Sequence, residues 1–165
     1  MVDSGSSLVQ DGRRGERLEL RVPITPTQLP AVRAMVGDLA MRMDYDLDAV
    51  EDLRLAVDEA CATLAQIATG DAPLTVIFET TRAGLHIEAW VPTTEGTDVP
   101  RDGFGWAVLA TLVDAVDATR ATLAEVPGGG QGDAPVAVIT LDKYLPGHRP
   151  EGLTSGSGQN LSVAQ

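Results

Sequence analysis

A glycine pair, Gly103-Phe104-Gly105, stands just before a helical periodicity that begins at Trp106. Bare glycines let backbone N–H groups approach a phosphate, and a helix start adds a favourable dipole. The same pair serves equally well as a flexible helix start. Other chemistry has little to draw on, because the chain holds one cysteine and two histidines. Cys61 falls on an apolar helical stripe and reads as a small core residue. His86 alternates with Leu85 and Ile87, which turns it toward solvent or a partner. A single cysteine excludes an internal disulfide and a cysteine-built zinc site. Six acids, Asp38, Asp44, Asp46, Asp48, Glu51 and Asp52, gather around two predicted helices. They read either as a solvated face or as a surface for a basic partner.

The whole chain is acidic, with 12 Lys plus Arg against 24 Asp plus Glu, a formal net charge of −12. Such a chain repels phosphate backbones, so direct nucleic-acid binding is not expected. A length of 165 residues with 44% hydrophobic residues fits one folded domain. No apolar run reaches a membrane span, and the N-terminal residues lack the order of a signal peptide. The expectation is a cytoplasmic protein with no membrane partner. Residues 1–16 and 146–165 are rich in Ser, Gly and Pro and read as flexible tails around a domain at 17–145.

Within that domain Leu18 to Val22 alternates as a strand. Leu29, Val32, Met35, Val36, Leu39 and Met43 recur at helical spacing, with Pro30 tolerated in the first turn. A second helix starts near Asp46–Asp48 and runs to about Ala68, with Asp48 and Glu51 as a capping pair. Strands at 74–79 and 85–91 are joined by a turn ending in Ala83-Gly84. A loop at 92–105 leads to a third helix carrying Trp106, Leu109, Leu112, Val113 and Val116. A strand at 118–126, a glycine-rich loop and a last strand at 136–141 complete the order β-α-α-β-β-α-β-β. That order predicts an α+β fold, a two-layer sandwich of a mostly antiparallel sheet with helices on one face.

The second helix carries Val50-Glu51-Asp52-Leu53-Arg54-Leu55-Ala56-Val57-Asp58-Glu59-Ala60-Cys61. This block resembles the first nucleotide-site motif of the RsbW-type anti-sigma factors. These are serine-protein kinases within the histidine-kinase-like ATPase (Bergerat) superfamily. Arg21-Val22-Pro23, Met41-Arg42-Met43-Asp44-Tyr45 and Lys143-Tyr144-Leu145 are similar to that family too, so the likeness spans about residues 17–146. The resemblance implies a switch protein. Members hold a sigma factor inactive, release it to an anti-anti-sigma antagonist, and when active phosphorylate a serine of that antagonist from ATP. They pair as homodimers through the sheet side.

The family's helical motif is Glu-x-x-x-Asn, in which the Glu serves the attacking hydroxyl and the Asn holds magnesium. Spacing of four puts both on one helix face. Glu59 matches the first position, and Thr63 stands where the Asn would be. Thr63 reads as a weak magnesium ligand or as a plain helix residue. A second motif, Asp-x-Gly-x-Gly at a strand end, recognises adenine. The matching stretch, Ala89 to Gly96, has no Asp there, and Glu95-Gly96 is at most a displaced remnant. The third motif, the phosphate-cradling pair, is matched by Gly103 and Gly105. Gly128 to Gly132 matches a last glycine-rich element or is a hairpin loop. Phe104 and Trp106 are bulky enough to fill a vacated pocket. In the family an Arg at the place of Arg33 contacts the sigma factor; the alternative is a solvated helix charge.

The resemblance therefore implies an anti-sigma factor with a degenerate ATP site, acting by binding. No cofactor is assigned outright, and ATP with magnesium is what the family would use. If the chain is catalytic, it is an ATP-dependent protein-serine kinase with Glu59 at its centre. A stress regulator of the same fold with another target is the third reading.

Overall fold

The computed structural model describes residues 15–151. Its elements are β1 (Arg17–Val22), α1 (Leu29–Arg42), α2 (Leu47–Ile67), β2 (Leu74–Thr80), β3 (Gly84–Pro92), α3 (Phe104–Leu112), β4 (Ala115–Thr122) and β5 (Pro135–Tyr144). Every strand pairing is antiparallel, and the sheet order is β1-β2-β3-β5-β4. The expected tails lie largely outside the described residues. Where the description begins, Glu16 is already tied to the sheet, with its amide donating to Thr80 Oγ1 at 2.9 Å.

All three helices cover one face of the sheet. Val32, Val36 and Leu39 of α1, Leu53, Val57 and Leu64 of α2, and Leu109 of α3 share one core with Val76, Phe78, Ile87 and Ile139. Their spacing explains both kinds of element: three- and four-residue steps on the helices, two-residue steps on the strands. Proline in the first turn of α1 is tolerated, as its position predicts. The helix stops at Met43, and Asp44 takes the left-handed conformation (φ 62°) that turns the chain into α2.

The strand expected at 118–126 runs over Ala115–Thr122 instead, and two further details differ from the sequence expectation. The N-cap of α2 is Asp46, whose carboxylate accepts from the Ala49 amide at 2.7 Å, while Glu51 instead pairs with Arg54. The third helix ends at Leu112, and Val116 belongs to β4. An i, i+3 apolar step fits a helix turn, but here Val116 and Ala118 also alternate toward the core along a strand.

The opposite sheet face is not bare. Residues 123–134, between β4 and β5, fold back across it as a strap. Val126 is buried against Trp90, Val136 and Val138 in a second, smaller core. The Trp90 indole N–H donates to the Pro127 carbonyl at 3.1 Å, and Arg21 of edge strand β1 donates to the Gly128 carbonyl. Beyond the strap this face holds the buried Ile77 and then a polar cluster. His86 Nδ1 lies 2.7 Å from Asp142 Oδ1, with Glu79 on β2 and Glu88 on β3 adding negative charge. The Asp142 contact raises the His86 pKa above its ordinary 6.5, against the opposing effect of burial. A group raised on folding stabilises the fold fully below its unfolded pKa and loses that contribution as pH climbs through the folded one. The melting temperature should therefore fall as pH rises from 6.5 upward, and His86→Gln should flatten that slope. An unchanged slope in the variant would assign the effect to other groups.

Candidate functional site

Helix α2 is the axis of the site. Its apolar side is buried, and its remaining sides meet α1 and α3. Toward α1, Arg54 lies over the buried Gly37, where any Cβ would collide with the guanidinium. Glycine at position 37 leaves the room that the guanidinium occupies. One turn further along α2, Asp58 pairs with Arg33 of α1 at 3.3 Å, with side chains 38% and 46% exposed. Arg33 is thus displayed on the helix surface yet held in place. Burial raises the Asp58 pKa, and the Arg33 guanidinium opposes that shift.

Toward α3, Glu59 presses its carboxylate against Gly105, at the spot a Cβ would occupy. Two residues singled out from the sequence, forty-six positions apart, are therefore neighbours. Gly103 is the N-cap of α3 and is exposed, with open space beside it. Thr63 sits one turn beyond Glu59 and is half-buried. The turn at Glu95 and Gly96 is exposed, with Gly96 left-handed at φ 79°. Phe104 is 86% exposed, so it does not fill a vacated pocket; Trp106 is partly buried against the main core. A residue at the first position of a helix points back past the helix end, which carries Phe104 outward.

Several further contacts frame the site, and two of the residues that make them, Tyr45 and Lys143, belong to the family-like stretches of the sequence. Lys143 Nζ reaches the Leu112 carbonyl at 2.8 Å and Asp52 Oδ2 at 3.2 Å, which joins β5, α3 and α2. The Tyr45 hydroxyl donates to the Lys143 carbonyl at 2.5 Å and accepts from the Leu85 amide at 3.0 Å. Burial pushes its pKa up to about 12. The Cys61 thiol is likewise pushed up to about 12 by burial, so it stays protonated and inert near neutrality. The loop from 93 to 103 is tied to edge strand β4. Arg101 pairs with Asp117 at 3.0 Å, donates to the Ala118 carbonyl and stacks 5.2 Å from the Trp106 ring. Asp98 pairs with Arg120 at 3.0 Å. Spacing showed the acids and arginines but not which of them meet.

Two of the residues that the resembling family uses to hold magnesium and nucleotide have no counterpart here. The magnesium position is a threonine. The end of β3 offers buried Val91 and Thr93, and the Thr93 amide is spent on the Pro135 carbonyl at 2.9 Å. Gly105 faces the Glu59 carboxylate, so these two motif positions lie side by side. Among the described residues no group of three or more His, Cys, Asp or Glu could hold a metal ion. No helix among them is long and apolar enough to cross a membrane.

The sequence profile of the histidine kinase-like ATPase domain matches residues 22–126. The chain is 38% identical over 113 residues to the anti-sigma-F factor RsbW of Mycobacterium tuberculosis, which covers 67% of each chain. It is 39% identical over 49 residues to the serine-protein kinase RsbW of Bacillus subtilis, covering 30% of this chain and 31% of that one. The chain belongs to the histidine kinase-like ATPase domain family, and within it to the RsbW type.

Proposed function

We propose that this protein is an anti-sigma factor that acts by binding rather than by phosphotransfer. It sequesters an alternative sigma factor in the cytoplasm and surrenders it to an anti-anti-sigma antagonist. The observation that carries the reading is a combination at one place. The histidine kinase-like ATPase profile spans residues 22–126, and so all three helices, while the magnesium Asn of the family motif is Thr63 here and its adenine Asp is missing at the end of β3. Protein binding does not require the phosphotransfer ligands, so it survives their loss more easily than phosphotransfer does.

Arg33 is the partner contact in this reading. Glu59, Thr63, Gly103 and Gly105 are what remains of a nucleotide site. The domain at 17–145 is the binding unit. Purified protein should capture its sigma factor equally well with and without ATP and magnesium. Pull-down under both conditions checks this, and a strict ATP requirement would sink the proposal.

The functional unit is a homodimer paired through the sheet side. Among the described residues, edge strand β1 leaves one row of backbone groups without a strand partner, and an edge of that kind needs cover. Light scattering at micromolar concentration should give twice the chain mass. A monomer mass with no partner present would refute the pairing.

A further inference from the structure

Phe104 is the most exposed large hydrophobic residue of the domain, at 86%. A surface helix gains nothing from an aromatic ring in water, and neither the core nor the strap uses it. Its backbone is nevertheless well fixed. Gly103 caps the helix, Gly105 is pressed against Glu59, and Leu109 anchors the next turn in the core. On α2, Leu55 is 48% exposed one turn before Glu59, on the same face. Two apolar side chains thus flank the α2–α3 seam, held by rigid elements.

We infer that Phe104, with Leu55 beside the seam, is the apolar anchor that inserts into the sigma factor. The inference rests on the function proposed above and names the surface that performs it. A sigma factor binds DNA, so it carries basic surface. Glu59 lies against Gly105 at the seam and Asp102 directly precedes the cap of α3, while the neighbouring Arg101 is spent on Asp117; on a chain of net charge −12 the rim complements such a partner. A fixed aromatic ring at the centre of a contact, ringed by charges of small individual effect, is the usual anatomy of an interaction hot spot. The binding groove would be apolar, about one ring wide, and bordered by lysine or arginine.

The test uses the full chain and purified alternative sigma factors from the same cell, titrated one by one. Phe104→Ala should weaken the complex at least tenfold, while Phe104→Leu keeps most of the affinity. Melting temperature and light-scattering mass should stay at wild-type values, since the ring packs on nothing in the free protein. Added salt should weaken wild type and Phe104→Leu in parallel. Wild-type affinity in Phe104→Ala would overturn the inference and leave the proposed function standing. Loss of the dimer mass instead would make a second copy the occupant, and selective loss of antagonist binding would make it the antagonist; each overturns the inference. A wild-type protein that binds no sigma factor would remove the proposed function itself, and this inference with it.

Discussion

Arg33→Glu should weaken the sigma complex by roughly 30- to 3000-fold, while Glu59→Ala should change it little. The range follows from about 2–5 kcal/mol for losing one side of a desolvated interfacial charge contact, at tenfold for each 1.4 kcal/mol. Arg33 is half-exposed and oriented by Asp58, so its guanidinium is offered to a partner at small entropic cost. Glutamate there would face Asp58 as a like charge and repel the partner's carboxylate as well. The fold itself should barely respond, because exposed pairs of this kind contribute only about 0–1 kcal/mol. Glu59 belongs to the remains of the nucleotide site, and its removal deletes one rim charge. Titration of both variants against one sigma factor, with circular dichroism as a folding control, checks the order. Lost binding in Glu59→Ala alongside intact binding in Arg33→Glu would couple the old nucleotide site to the partner and defeat a binding-only mechanism.

Trp90→Ala should destabilise the domain by about 3–5 kcal/mol, the usual cost of emptying a buried tryptophan site. Trp90 is 4% exposed and forms most of the small core beneath the strap. It also holds the strap directly, through its indole N–H to the Pro127 carbonyl. Trp90→Phe keeps much of the packing and loses the hydrogen bond, so it should cost only about 1–2 kcal/mol. Denaturant unfolding gives both numbers. Limited proteolysis adds a second readout, because a loosened strap should be cut within 123–134 first. Equal stability in both variants would mean that the indole hydrogen bond, and not the ring volume, holds the strap.

Much of the fold was legible because each element carries its own period. The alternation of Leu18, Leu20 and Val22 and the stripe from Val50 to Leu64 appear as β1 and α2, in the order their spacing implies. The errors sit where two periods coincide. Val113 and Val116 satisfy a helix and a strand alike, and only the pairing of Val116 with Leu141 decides for the strand. The strap was not legible at all. A glycine-rich run announces a turn, but nothing local says that Val126 and Pro127 will lie over Trp90. In the site, Glu59 and Gly105 were legible as motif positions, but their contact across the two helices was not. Arg33 with Asp58, and Arg54 over Gly37, were invisible because helix surfaces list charges without saying which helix lies opposite. Phe104 was misread for a related reason. Aromatic character predicts burial on average, and the first position of a helix overrides it.

The sheet order also sets a timetable for synthesis. Among the described residues strand β1 pairs only with β2, and Val22 lies opposite Leu74, with both long helices in between. On the ribosome the first strand therefore emerges without a mate. At about 5–20 residues per second the missing roughly fifty residues take on the order of 3–10 s. During that interval α1 and α2 can fold against each other as a local hairpin, and β2 with β3 can follow through the tight turn before Gly84. Strand β1 has to wait, its apolar residues interleaved with Arg17, Glu19 and Arg21. Those charges discourage pairing with the wrong neighbour while the right one is still being made.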